Sequence, residues 1–393
     1  MRKLKIAYFS GRMFSDVDLS FLMEAKEMAE IDYYVPIFRK YYKGAAFNIQ
    51  KPSPKFGIYP AIELYPELTP CSRLIDANRF FVVNSFAAHA WQPHNLWLYV
   101  KFVWRLRKYD VIHITDFPQY FEIPLYFLRK KIVLTVHDPI PHSTEKCNAP
   151  LVLKARKWGF RLLNYFIILN AAQKEECVAL NHLEKKHIYD SRLGRYDYLR
   201  MYERQHTNGA KGDYFLFFGQ IASNKGIDYL LEAMKMVHEQ YPQMRLIVAG
   251  KGKYPFDIYE YQQLDYIEFR NRFIPDAELA ELIQGAYCAV CPYKDATQSG
   301  VVMSAFAFNK PIIATNVGGL PEQVEHDKYG MIVPPCDVEA LANAVIHLLS
   351  HPEKLQEYAD NIERDYSEGP KSWKEIAKKL NIIYQEIAEK NKQ

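Results

Sequence analysis

The sequence has no long apolar run and no recognisable export signal. Nowhere in its 393 residues does an uninterrupted apolar stretch reach the roughly 20 residues that a transmembrane helix requires. The N-terminus, MRKLKIAYFSG, is basic, but its apolar run is too short for a signal peptide and no cleavage site follows it. These absences predict a cytoplasmic protein.

The net charge is low and cysteines are few. The formal net charge is +4, which is too weak a basic excess to indicate a nucleic-acid partner. The six cysteines are scattered, and Cys288 and Cys291 form a single CxxC inside AYCAVCPY. That segment is typical of a buried strand, where positions three apart point to opposite faces. We therefore expect small core residues in a reducing compartment and no metal site.

The pattern that is present alternates strands with helices. In the first half, strands are predicted at 4–9, 110–115 and 131–138, and helices at 18–30, 93–109 and 153–166. The same alternation restarts at 213. It implies two βαβ domains with parallel sheets and a cleft between them. The predicted boundaries are an N-terminal domain at 1–190, a polar linker at 191–212, a C-terminal domain at 213–368 and an amphipathic final helix at 369–393.

Two helix starts in the second half suggest a diphosphate site. In GQIASNKGIDYLLEA (219–233), Lys225 stands beside a predicted helix N-terminus, where a lysine and free backbone amides favour a phosphate. In YKDATQSGVVMSAF (293–306), the backbone of Gln298, Ser299 and Gly300 leads into a helix beginning near Val301. The plainer alternatives are a solvated loop lysine and an ordinary Ser or Thr helix cap.

Two further residues follow predicted strands at the edge where ligands bind in open α/β sheets. Glu322, in TNVGGLPEQ, is a candidate ligand-facing residue, although it could simply complement a helix dipole. His137, in TVHDPIPH, is placed to hydrogen-bond a sugar hydroxyl or to act as an acid or base. His113 lies in mid-strand and is expected in the core.

These residues carry a resemblance. The second half is similar to the family-four retaining glycosyltransferases, which have the GT-B fold, through FFGQIASNKGIDYLLEA, LIVAGKG, KPIIATNVGGLPE and IVPPCDVEALANAV. The first half resembles them more loosely, through LKIAYFSG, YDVIHITD and VLTVHDPIPH. The resemblance implies two Rossmann-like βαβ domains facing a cleft, with a C-terminal helix crossing back to the N-terminal domain.

The resemblance also assigns residues. The family's Arg–Lys pair grips the donor diphosphate, and here Lys225 stands at the lysine position but Gln220 at the arginine position. The family also has a Glu-x7-Glu motif in this region. Neither of the two possible alignments of this sequence places an acid at either glutamate position, so the chain resembles the members with a TQSGV-like segment. Sugar and ribose recognition is then expected from Gln298, Ser299, Ser304 and backbone amides. Gly11 is placed near the donor phosphates and His137 near the transferred sugar.

The predicted activity is transfer of a hexose, with retention, from a nucleoside diphosphate sugar to a glycan or lipid-linked acceptor in cell-surface polysaccharide synthesis. Lys225 and the start of the helix near Val301 would stabilise the charge on the departing diphosphate, so no metal and no cofactor are expected. The missing acids leave open a non-catalytic GT-B-like binding subunit with a degenerate donor site. A nucleotide-sugar epimerase shares the two-domain layout, but no convincing set of cleft carboxylates is visible.

Two predicted helices mix aromatic and basic residues, WLYVKFVWRLRKY and LKARKWGFRLLNYF. This composition suits an anionic lipid surface at the inner membrane face. The sequence favours the plainer interpretation, in which the apolar faces pack on the sheet and the basic faces meet water.

Overall fold

The computed structural model describes residues 2–44, 46–85, 92–118, 120–137, 150–169, 173–203, 212–296 and 298–392. Its strands are β1 (Lys5–Phe9), β2 (Glu30–Phe38), β3 (Gly57–Pro60), β4 (Phe80–Ser85), β5 (Val111–Ile114), β6 (Ile132–Val136), β7 (Tyr165–Ile168), β8 (His187–Asp190), β9 (Tyr214–Phe218), β10 (Arg245–Gly250), β11 (Ile267–Asn271), β12 (Cys288–Cys291), β13 (Ile312–Thr315) and β14 (Gly330–Val333).

Helices connect and cover these strands. They are α1 (Ser15–Ala25), α2 (Ala61–Leu64), α3 (His94–Leu106), α4 (Pro150–Leu162), α5 (Lys174–Asn181), α6 (Ile227–Gln240), α7 (Tyr259–Gln262), α8 (Asp276–Gly285), α9 (Gly300–Phe306), α10 (Leu320–Val324), α11 (Val338–Ser350), α12 (Pro352–Glu363) and α13 (Trp373–Lys390). Short 3-10 segments include Tyr120–Leu128 and Ser223–Lys225.

The chain divides into two compact units. Unit 1 is Met1–Gly194 together with Trp373–Gln393, and unit 2 is Arg195–Ser372. The last helix therefore belongs to the unit formed by the start of the chain, which is the arrangement that the resemblance implies. The predicted linker at 191–212 does not agree with this division, because residues 195–203 lie in unit 2. The 3-10 segment Asp197–Tyr202 buries Tyr198 and Leu199 there.

Unit 1 is built on an eight-stranded sheet in the order β3-β4-β2-β1-β5-β6-β7-β8. Strand β3 is antiparallel to β4, and the remaining pairs are parallel. Strand β2 is buried from Ile31 to Phe38, as expected for a strand covered on both faces. The strand order reverses between β1 and β5, so this sheet has its switch point there.

The two faces of the unit 1 sheet are covered by different helices. On one face, α13 packs against α1 and β5. His113 on β5 bridges the layers there, since its Nδ1 lies 2.6 Å from Tyr384 Oη and its Nε2 lies 2.6 Å from Thr135 Oγ1. Burial lowers the pKa of His113 to about 3, so its ring is neutral. The expectation that His113 lies in the core is confirmed.

On the other face of this sheet, α3, Tyr120–Leu128 and α4 share one apolar core with the alternate strand residues. Helix α4 ends at Leu162, earlier than predicted, because Tyr165 already begins β7. The buried sequence YFII is aromatic and β-branched, which favours a strand. Similarly, the helix predicted to reach residue 30 ends at Ala25, and Glu30 begins β2.

Unit 2 contains a six-stranded parallel sheet in the order β11-β10-β9-β12-β13-β14. For this half, the sequence pattern predicts strands at 213–219, 244–252, 310–319 and 330–335 and helices at 276–286 and 337–350. These correspond to strands β9, β10, β13 and β14 and to helices α8 and α11. Strand β11 and helix α12 were not predicted. Cys288 and Cys291 are buried in β12.

The described residues contain no helix with the length and apolarity needed to cross a membrane. Across the same residues, no cluster of three or more His, Cys, Asp or Glu side chains is arranged to hold a metal ion.

Candidate functional site

The candidate site in unit 2 lies where its strand order reverses. Strands β9 and β12 are neighbours, but β9 continues to β10 on one side and β12 continues to β13 on the other. The connections that follow β9 and β12 therefore run to opposite sides of the sheet, and the crevice at such a switch point, outside the carboxyl ends of the strands, is where ligands bind in open parallel sheets. The loop after β9 contains Gln220 and Lys225, and the loop after β12 leads to Ser299.

Close backbone packing holds these two loops together. Gly226 has a φ of 62°, and a Cβ on it would lie 1.9 Å from the Pro292 carbonyl oxygen, so only glycine fits there. The Lys294 amide donates to the Asn224 carbonyl at 2.8 Å, and Asn224 Nδ2 donates to the Asp295 carbonyl at 3.3 Å. The position of Lys225 between Asn224 and Gly226 is thereby fixed by backbone contacts.

Lys225 lies on an aromatic face. Its Nζ is 3.6 Å from the centroid of the Tyr293 ring, a cation–π contact. Burial lowers the pKa of the Lys225 ammonium, and nearby Cys291 and Asp295 offset part of this shift. Among the described residues no carboxylate pairs with it, whereas neighbouring Lys294 pairs with Asp228 at 2.8 Å. The site thus holds a partly buried cation that an anionic ligand could neutralise.

The loop after β12 is fixed by a side chain from α10. The Ser299 amide donates to Gln323 Oε1 at 2.8 Å, and Gln323 Nε2 donates back to the Ser299 carbonyl at 3.3 Å. Both residues are buried. The Ser299 amide, predicted to face a phosphate, therefore already has an acceptor. The amides of Gly300 and Val301 begin α9 and have no acceptor within the helix.

The other predicted donor-site residues of unit 2 occupy different environments. Gln220 is exposed beside the crevice, and Glu322 is exposed in the first turn of α10. Gln298 is partly buried, and Ser304 is buried inside α9. Val301 approaches the β9 loop, since a Cβ built on Gly219 would lie 3.3 Å from Val301 Cγ2. The structure therefore joins the start of α9 to the loop that carries Gln220 and Lys225.

Gly11 and His137 lie in unit 1, at the carboxyl ends of β1 and β6. The His137 ring stacks on the Phe14 ring with centroids 3.9 Å apart and planes 7° apart. A Cβ on Gly11 would lie 3.6 Å from Phe14 Cδ2 and 2.3 Å from Asp116 Oδ2. Phe14 thus brings the two predicted residues together at this edge. Asp138 lies outside the described residues.

Three residues at these edges were not identified from the sequence. Tyr293 was assigned to a strand end, although an aromatic residue directly after a buried strand was a usable signal. Asp116 follows β5 at the unit 1 switch point, and its place beside Gly11 becomes evident only once β1 and β5 pair. Gln323 carries no sequence signal, because its role depends on the approach of α10 to the start of α9.

Comparison with known proteins concerns mainly unit 2. Residues 212–351 match the family described as glycosyl transferases group 1. The chain is 29% identical over 191 residues to the putative glycosyltransferase YtcC of Bacillus subtilis, covering 45% of this chain and 46% of that protein. It is 30% identical over 184 residues to the D-inositol 3-phosphate glycosyltransferase of Corynebacterium urealyticum, covering 44% and 42%. The match thus spans less than half the length of these relatives.

Solved structures match almost the whole chain. Sucrose-phosphate synthase from Thermosynechococcus elongatus superposes with a TM-score of 0.68 at 19% identity, covering 98% of this chain and 99% of that one. Anabaena HepE in complex with UDP gives 0.66 at 17% identity, covering 98% and 100%. A UDP-N-acetylglucosamine 2-epimerase gives 0.59 at 13% identity, covering 98% and 97%.

At these low identities the likenesses show the fold alone, since transferases and an epimerase share it. The predicted fold of two Rossmann-like domains is confirmed. The chain has the GT-B fold, and its residues 212–351 match the group 1 glycosyl transferases.

Proposed function

We propose that this protein transfers a hexose from a nucleoside diphosphate sugar to a glycan or lipid-linked acceptor, with retention of anomeric configuration and without a metal. The observation that carries the proposal is Lys225, a partly buried ammonium on the Tyr293 ring at the switch point of the unit 2 sheet. A diphosphate is the ligand that such a cation and the nearby amides of α9 would bind best.

In the proposed reaction, the bond between the anomeric carbon and the diphosphate oxygen breaks, and a bond to the acceptor hydroxyl oxygen forms. The hydroxyl proton passes to solvent water, and the nucleoside diphosphate leaves with the additional negative charge. Lys225 would stabilise that charge, in an environment where partial burial strengthens the attraction. His137 is proposed to contact the transferred sugar and Gly11 to lie near the donor phosphates.

The comparisons support a nucleotide-sugar donor. HepE, whose fold this chain shares, has been solved with UDP and with UDP-glucose. The segment that matches the group 1 glycosyl transferases contains Lys225, Gln298, Ser304 and Glu322. A role in cell-surface polysaccharide synthesis is part of the proposal.

A non-catalytic binding subunit is the second candidate. Two observations favour it: the uncharged Gln220 stands where the resemblance expects an arginine, and the Ser299 amide is already occupied by Gln323. Such a subunit would bind a partner or a glycan without turnover and would leave a nucleotide sugar intact. The epimerase alternative shares the fold, and it would convert the donor sugar without any acceptor.

Calorimetric titration with UDP and with GDP tests the diphosphate site. We expect one of the two nucleotides to bind, and Lys225→Ala to weaken that binding about tenfold or more, since a hydrogen bond to a charged group contributes about 1.5–3 kcal/mol. Lys235→Ala is the matched control, because Lys235 lies on α6 and pairs with Glu232 and Glu260. This variant should bind like the wild type.

Two outcomes would count against the proposal. If neither nucleotide binds, an active transferase using these donor classes is excluded. If a nucleotide binds but its sugar donor is never consumed, with or without glycan acceptors, the binding subunit replaces the transferase. Recovery of an epimerised donor sugar would instead establish the epimerase.

A further inference from the structure

Helix α3 in unit 1 exposes large apolar side chains that the fold does not need. Trp97 is 62% exposed and Trp104 is 76% exposed, and Val100 lies between them on the same side of the helix. Spacings of three and four residues align these side chains with Lys101, whose Nζ is 5.9 Å from the Trp97 ring centroid. We call Trp97, Val100, Lys101 and Trp104 the α3 outer face.

The opposite side of α3 already supplies the core. Leu98, Tyr99, Phe102 and Leu106 are almost completely buried against the sheet. The tryptophans therefore contribute little to the packing of unit 1. As the plainer interpretation expects, one apolar face of this helix packs on the sheet and basic residues meet water, but Trp97 and Trp104 meet water as well. Exposed tryptophans in a cluster indicate a binding surface.

The neighbouring segment extends this surface. Tyr120–Leu128 packs beside α3, and the Tyr99 hydroxyl donates to Glu122 Oε1 at 2.7 Å across the contact. Phe127 in this segment is 83% exposed. Two exposed basic residues, Arg129 and Lys130, follow it directly.

Most of the charged residues around these aromatic side chains are basic, and the acidic Glu122 accepts the hydrogen bond from Tyr99. Arg107 and Lys108 are exposed just after α3, and α3 itself contains no acidic residue. Helix α4, which covers the same face of the sheet, also lacks acidic residues and exposes Lys157, Trp158 and Arg161. A surface that combines exposed tryptophans with lysine and arginine matches the headgroup region of an anionic bilayer, where the rings insert and the cations contact lipid phosphates.

We propose that the α3 outer face, together with Phe127, docks unit 1 onto an anionic lipid bilayer. Trp97 and Trp104 insert at the level of the headgroups, while Lys101 and Lys108 contact lipid phosphates. A second copy of the chain is a poorer occupant, because each copy would bring the same positive charge to the interface. The inference does not depend on the proposed function.

Sedimentation with lipid vesicles tests this surface in the full chain. We expect binding to vesicles of phosphatidylcholine with phosphatidylglycerol, and none to phosphatidylcholine alone. The double variant Trp97→Ser with Trp104→Ser should lower the partition coefficient about tenfold or more. Lys101→Glu with Lys108→Glu should weaken binding most at low salt. Phe273→Ser is the control, because Phe273 is 65% exposed in unit 2.

The thermal midpoints of the double tryptophan variant and of Phe273→Ser should match that of the wild type, since the replaced side chains are exposed. Three outcomes would overturn the proposal. They are absence of binding to the anionic vesicles, equal binding to phosphatidylcholine alone, and a wild-type dimer in sedimentation velocity that the double tryptophan variant abolishes. The last outcome would assign the face to a second copy of the chain.

Discussion

Gln220 stands at the position where the resemblance to the glycosyltransferases places an arginine. A glutamine donates a hydrogen bond without a charge, whereas an arginine offers a planar, permanently charged fork to a phosphate. Gln220 is exposed in the loop that carries Lys225. A longer side chain can therefore be accommodated there, and replacing this one residue would supply the missing positive charge.

We expect Gln220→Arg to raise the affinity for the preferred nucleoside diphosphate about fivefold, because a charge-assisted hydrogen bond contributes about 1 kcal/mol more than a neutral one. Calorimetric titration measures the change. Gln220→Met keeps the size and removes the hydrogen bond, so it should bind no better than the wild type. Equal affinities for the arginine variant and the wild type would show that this position does not face the diphosphate.

At the scale of secondary-structure elements, a buried carboxylate joins α1 to the unit 1 sheet. Asp18 on α1 accepts hydrogen bonds from the Tyr8 hydroxyl at 3.0 Å and the Tyr33 hydroxyl at 2.8 Å. Burial raises the pKa of Asp18 to about 8, although these bonds favour its ionised form. Burial also raises the pKa of both tyrosines, so they remain neutral donors.

This raised pKa makes the stability of unit 1 depend on pH. An unfolded aspartate has a pKa of about 3.9, so at intermediate pH the folded state retains a proton that the unfolded state has lost. The free energy of unfolding should therefore fall as the pH rises towards about 8, by up to about 1.4 kcal/mol per unit. Asp18→Asn should flatten this slope.

Urea unfolding of both proteins between about pH 6.5 and 8 measures the two slopes. This interval lies above the ordinary histidine pKa of about 6.5, so neutral His113 contributes little there. Below it, His113 acts in the opposite direction, because its lowered folded pKa removes stability as the pH falls. Parallel slopes for wild type and Asp18→Asn would show that Asp18 is ionised in the folded protein throughout this interval.

On the scale of the whole molecule, the chain leaves unit 1 at Gly194 and returns to it at Trp373. Helix α13 then packs on α1, and Tyr384 bonds to His113 in the sheet. Integrity of the N-terminal unit therefore depends on the last residues of the sequence. Unit 2 is formed by the residues between these two segments of the sequence, Arg195–Ser372, and has its own sheet and core.

Deletion of residues 373–393 should destabilise unit 1 and spare unit 2, because it uncovers one face of the unit 1 sheet. Hydrogen–deuterium exchange should show lost protection in α1 and β5, with protection of β9, β10 and β12 retained. Ile382→Ser is the control, since Ile382 is on α13 but 65% exposed. Uniform loss of protection across both units would contradict their description as separate folding units.

Much of the fold could be predicted from local pattern. Most strands and helices of unit 2 were predicted, although β11 and α12 were not, because their apolar residues follow a regular period and glycine or proline marks many of their boundaries. Strand β2 and strand β4 were missed in unit 1, where long apolar stretches follow no simple period. The start of β7 was assigned to a helix, because LLNYF continues the helical pattern of α4.

The candidate site was predictable only in part. The sequence by itself determined that Lys225 follows a strand and precedes a helix, that Gln220 brings no charge, and that the segment before α9 has no acid except Asp295. These are properties of adjacent residues. Only the tertiary structure decided that Tyr293 lies under Lys225, that Gln323 occupies the Ser299 amide, and that Trp97 and Trp104 face water. Each depends on contacts between segments distant in sequence, and side-chain burial follows from that packing.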